Sequence, residues 1–134
     1  TVQLIKSQLA LALFVLTCLG DIRADTAPSS FSKDILPILQ QQCVSCHVTG
    51  DELGGLGLAP SLAYEQLVDV ASEQSTYLRV MPGAPEESYL LHKLMGTHLD
   101  HGGSGGRMPL GFPALTEEQI RFIADWITSG APRN

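Results

Sequence analysis

"FSKDILPILQQQCVSCH", Phe31 to His47, is the stretch on which the fold turns. Phe31, Ile35, Leu36 and Leu39 fall at helical spacing and can share one buried side. Pro37 removes one backbone donor and predicts a kink. The apolar pattern stops at three glutamines. Two cysteines follow, with a histidine directly behind the second. The helix therefore runs into "CVSCH", with Cys43 and Cys46 at or just beyond its end.

C-x-x-C-H is the spacing of covalent haem attachment. Two thiols three residues apart can each add to one vinyl group of the same porphyrin. The adjacent imidazole, His47, then lies under the iron as the proximal ligand. Three other readings share the C-x-x-C spacing, and one of them, a structural disulfide across so short a loop, is strained and uncommon. A thioredoxin-like redox pair opens a helix after a strand, and no βαβ pattern exists here. Half of a zinc site needs a second pair of ligands, for which "HLDH", His98 to His101, is the sole candidate. One covalently held haem c is the expected cofactor.

The rest of the chain is consistent with export. Its 134 residues fit one domain, and 44% hydrophobic content is enough for a core. Lys6 is followed by the apolar run "LALALFVLTCLG", Leu9 to Gly20. That is short of the ~20 residues a spanning helix needs. A basic start, a short apolar core and small residues soon after it make a secretory signal peptide. Residues 1–24 are read as that signal, cleaved after Ala24, with a retained anchor as the alternative. Residues 25–30 follow as a short linker and 31–134 as the domain. Cys18 leaves with the signal. The location expected is periplasmic or otherwise exported, with membrane contact only if the N-terminal segment stays.

The net charge is −6. Residues 1–25 carry two acids and two bases, so the mature domain holds all of that excess. Nucleic acid is excluded as a partner, because binding it needs a basic face. A redox partner with a basic docking surface is expected instead, with encounter slowed by salt.

Helices dominate the remaining pattern. "LTEEQIRFIADWITSGAP" has Thr116 as N-cap and Gln119 completing a capping box, with Leu115 and Ile120 at the staple positions. Ile120, Ile123 and Ile127, with Phe122 and Trp126, form its apolar side. Gly130 and Pro132 stop it. A helix of about ten residues is predicted from an N-cap at Ser61, with Leu62, Leu67 and Val70 inward. Another is predicted from Pro85 to Met95, with Leu90, Leu91, Leu94 and Met95 as its stripe. "VTGDELGGLGLAP" is read as a loop with Leu53, Leu56 and Leu58 inward. No convincing alternating strand is present. The fold class is small and all-α.

The ordered set "CVSCH", "GGLGL", "VMPGAPEESYLLHKL", "RMP" and "LTEEQIRFIADWITSGAP" resembles the cytochrome c superfamily of class I topology. The likeness is greatest to the domain variety first catalogued in planctomycete proteins, and it runs from about Phe31 to Pro132. The resemblance implies a cytochrome c fold with helices wrapped round the haem and the first and last helices crossing. It implies His47 as proximal ligand and Met108 as distal ligand. It also implies that the Pro60 carbonyl in "APSL" accepts a hydrogen bond from His47.

The chain offers rivals to Met108. Met81 also precedes a proline but lies only 34 residues beyond His47, against 61 for Met108. Met95 belongs to a helical stripe. His92 is read as a surface or boundary residue. His98 and His101 sit in "HLDHGGSGGRMPLG", a glycine-rich loop read as exposed that ends in Met108, and either would give bis-His ligation. Met108 is preferred, with these histidines and an open site as alternatives. A thioether favours ferrous iron relative to a second imidazole. Arg79 and Arg107 are candidates to pair with haem propionates, or else solvated arginines. Tyr77 and Trp126 are candidate donors to a propionate, or else core. The expected function is electron transfer by an exported monohaem cytochrome rather than enzymatic catalysis. The alternatives are a haem enzyme or gas- or peroxide-binding protein with an open distal site, and a haem subunit of a membrane-bound redox complex.

Overall fold

A computed structural model describes residues 28–134 of the chain. The signal or anchor reading of residues 1–24 lies outside the described residues. Within them, four α-helices and three short helical turns are joined by loops, with only isolated bridges between extended residues. The chain is therefore helical in class, as its periodicity predicts. No helix among the described residues is long and apolar enough to cross a membrane.

The first helical segment is not one regular helix. Phe31–Ile35 is a π-turn, and α1 proper is Leu36–Gln42. Pro37 is the physical cause. It has no N–H, and its ring crowds the carbonyl four residues back. The last donor ahead of it, Leu36 N–H, reaches five residues back to Phe31. Pro37 thus sits in the first turn of a new helix, where a proline is tolerated. Ser30 caps the π-turn by accepting from Lys33 N–H. Ser29 is buried, so the folded part already includes the end of the stretch read as linker.

α2 is Ala63–Leu67, half the predicted length, and Ser61 does not cap it. It stops because Val68 turns extended and bridges Val80, and Asp69 then takes a left-handed φ of 59°. The predicted Pro85–Met95 helix also divides, into a 3-10 turn at Pro85–Glu87 and α3 at Tyr89–Met95. Ser88 is the break. Its buried hydroxyl accepts from Met81 N–H and donates to the Ala84 carbonyl. Tyr89 and Leu90 N–H groups donate outward, to Leu78 and Arg79. Met95, placed in the apolar stripe by its spacing, is half exposed instead. Leu53, read as inward, is 94% exposed, whereas Leu58 is 1% exposed.

α4, Glu117–Thr128, forms as its sequence dictates. Thr116 accepts from Gln119 N–H, and Gln119 accepts in return from Thr116 N–H. Ile123, Trp126 and Ile127 are fully buried. Each such side chain contributes about 1.5–3 kcal/mol from removal of apolar surface. α4 packs on the π-turn, where Phe31 lies 5.4 Å from Trp126 and meets Tyr64 edge-on at 5.1 Å. Trp126 Nε1 donates to the Pro132 carbonyl, which satisfies the one polar atom of this buried ring. The C-terminal Asn134 accepts from Phe31 and Ser32 N–H groups. The two ends of the described chain therefore close on one core.

Candidate functional site

The C-terminal end of α1 shapes "CVSCH". Cys43 is its C-cap, donating its N–H to the Leu39 carbonyl. The Cys43 carbonyl then accepts from both Cys46 and His47 N–H groups, each at 3.1 Å. One carbonyl thus folds the motif into a single turn and carries both thiols and the imidazole on it. Both cysteines are free thiols, Cys43 half-buried and Cys46 exposed. Burial pushes the Cys43 thiol up to about 11, with the neighbouring Cys46 adding to the effect. A redox cysteine needs the opposite, a thiol lowered by a helix N-terminus or a cation. Here the nearest helix end is a C-terminus, whose dipole disfavours a thiolate.

His47 is held by its backbone. Its carbonyl accepts from Leu58 N–H at 2.9 Å, and that of Val48 from Ala59 N–H at 3.1 Å. This short pairing closes the loop between them. The loop ends pass so close that a Cβ on Gly57 would lie 2.7 Å from the Thr49 backbone. His47 Nδ1 is buried and has no hydrogen-bond partner. The bond to the Pro60 carbonyl, expected by resemblance, is therefore not made in this structure. The pairing of residues 47–48 with 58–59 fixes the backbone and leaves the ring nitrogen free.

The glycine loop is clamped from outside by Arg79, which is 7% exposed. Its guanidinium donates to the carbonyls of Gly54, Gly55 and Gln66 and to Gln66 Oε1. Burial lowers its pKa, against the pull of Glu73. Arg79, a candidate for propionates from sequence, is thus already occupied by peptide carbonyls. Arg107 likewise donates to the Met108 and Phe112 carbonyls. Tyr77 Oη pairs with His101 Nδ1 at 3.1 Å, and Trp126 is core.

Met108 packs partly buried against the hydrophobic core. Its N–H donates to the Lys93 carbonyl of α3 at 3.0 Å. Met81 and Met95 are exposed by 38% and 49%. A groove of about 400 Å³ runs beside the Met108 loop, lined by Leu94, Arg107, Leu115 and Ile120 among others.

The histidines behave differently from the expectation. His92, read as a surface residue, is 7% exposed, and both its ring nitrogens are engaged, with Thr97 Oγ1 and the Glu86 carbonyl. Its ring lies 3.7 Å from that of His101. His98, read as an exposed loop residue, is 2% exposed. His98–His101 is a 3-10 turn ended by Gly102 at φ 74°. A helical turn closed by glycine was legible in "HLDHG" as a C-cap signal. No group of three or more His, Cys, Asp or Glu side chains among the described residues could hold a metal ion, so "HLDH" does not join the cysteines in a zinc site.

The donor set fits a covalently attached haem. Two free thiols share one turn with an imidazole whose ring makes no side-chain hydrogen bond, and a partly buried thioether is held on a separate loop. No family model, no curated protein and no solved structure matches the chain.

Proposed function

We propose that the protein is an exported, single-haem c-type cytochrome that transfers electrons and catalyses no reaction of its own. The observation that carries this reading is the "CVSCH" turn, in which one carbonyl gathers Cys43, Cys46 and His47. Cys43 and Cys46 would hold the haem through thioethers, and His47 and Met108 would bind its iron. When bound, the haem supplies reversible uptake of a single electron. The raised Cys43 thiol argues against a dithiol redox enzyme. The engaged nitrogens of His92 favour the thioether over that imidazole. The resemblance to class I cytochromes of the planctomycete variety supports the same set. An acidic domain of this kind suits a partner with a basic docking surface.

The test is optical. Ferric and ferrous spectra of the purified, haem-loaded protein are recorded with and without carbon monoxide. A near-infrared thioether-to-iron band without CO binding is the expected result. Met108→Ala should abolish that band and Met81→Ala should leave it. A high-spin ferrous protein that binds CO rapidly would overturn the reading, in favour of an open-site haem protein.

A further inference from the structure

The loop carrying Met108 is glycine-rich, yet it is held at several defined points, and His98 makes three of them. The His98 carbonyl accepts from Gly103 N–H at 2.8 Å and from Gly102 N–H. The His98 ring nitrogen Nε2 lies 2.9 Å from the Gly105 carbonyl. A carbonyl only accepts, so Nε2 carries the hydrogen and donates. The ring is 2% exposed, and its other nitrogen is buried without a partner. Lys93 completes the hold. Its ammonium donates to the Ser104 carbonyl at 2.5 Å while its own carbonyl takes Met108 N–H. Gly103 is pressed against Tyr89 Oη and the His98 carbonyl, with no room for a Cβ.

We propose that His98 is the positioning residue of the distal ligand, fixing the path of Gly102–Gly106 so that Met108 is presented in one register. This deepens the His/Met reading and rests on it. His98 is then a fixed part of the loop and not a rival ligand, because ligation through Nε2 would break its bond to Gly105 and the remaining lone pair, on Nδ1, is buried. The buried Nδ1 supports this. It makes no hydrogen bond, so the ring is held in a single tautomer by its one bond to Gly105.

The experiment compares haem-loaded full chains carrying His98→Gln, His98→Leu and Met108→Ala. Glutamine can still donate to the Gly105 carbonyl, and leucine cannot. Expected results are loss of at least half of the near-infrared band in His98→Leu and its retention in His98→Gln. Exchange of the hydrogen-bonded Gly103 and Met108 amide hydrogens should quicken at least tenfold in His98→Leu only. An unchanged band and unchanged exchange in His98→Leu would overturn the proposal. Equal loss in the glutamine variant would overturn it too. If the parent protein has no such band and Met108→Ala changes nothing, the His/Met reading fails. The amide exchange rates still decide whether His98 orders the loop. If His98→Leu does not fold, nitrogen NMR of the parent protein decides. An Nε2-protonated, non-ligating His98 supports the proposal, and an iron-bound His98 refutes it.

Discussion

The Arg79 guanidinium donates to the Gly55 carbonyl at 2.8 Å from a position that is 7% exposed. It also reaches Gly54 and Gln66, so a single buried cation satisfies three peptide carbonyls. The loop that follows His47 therefore takes its shape from a side chain far along the sequence. Arg79→Met should cost roughly 1–3 kcal/mol, since it leaves partly buried acceptors without their donor. Arg79→Lys should recover less than half of that, because a point charge lacks the planar fork. Urea unfolding of the three proteins measures both values.

The two motif cysteines should differ in reactivity in the reduced, haem-free protein. Cys46 is exposed, whereas the half-buried Cys43 thiol is pushed up to about 11 from 9.0. Iodoacetamide near neutral pH should alkylate Cys46 well before Cys43, as peptide mass mapping would show. The raised thiol also bears on stability. The folded state keeps the Cys43 proton to higher pH than the unfolded chain does. The stability it contributes is full below pH 9.0 and is lost as pH rises to about 11. The loss is at most about 2–3 kcal/mol, because each tenfold change in proton affinity corresponds to about 1.36 kcal/mol. Cys43→Ser should flatten that alkaline slope in thermal melts.

Glu52 should remain ionised in strong acid. Its exposed carboxylate accepts from Gly50 and Thr49 N–H groups, and these bonds lower its pKa to about 2 from 4.5. The order it gives the start of the loop is present above pH 4.5 and is lost only as pH falls through about 2. The Gly50 amide resonance in NMR should follow that titration. In Glu52→Gln the acid titration of the Gly50 amide should vanish.

Two neighbouring glycines should respond very differently to alanine. A Cβ on Gly103 would lie 2.7 Å from the His98 carbonyl, inside the packing against Tyr89. Gly103→Ala should cost about 1–3 kcal/mol by overpacking. Gly102 has open space around it but a φ of 74°. Its alanine variant should cost only about 1 kcal/mol, from left-handed strain. Differential scanning calorimetry of both variants tests the order, which reverses if the loop is loose.

Local chemistry explains which features were legible in the sequence. The capping box of Thr116 and Gln119, the buried face of α4 and its stop at Gly130 all depend on residues within a few positions of one another. The "CVSCH" turn is local in the same way, since every bond that folds it lies between Leu39 and His47. Helix lengths were less legible. α2 and the segment after Pro85 were cut short by bonds to Val80, Leu78 and Arg79, which no local pattern announces.

By itself, then, the sequence determined the helical class, the last helix and the grouping of two thiols with an imidazole. Hydrogen bonds and periodicity over a few residues suffice for these. Only the tertiary structure decided that His92 and His98 are buried, that Arg79 serves peptide carbonyls, and that Met108 is registered against Lys93. Each of those outcomes depends on burial, which takes polar groups from water and obliges them to find partners wherever the fold brings one within reach.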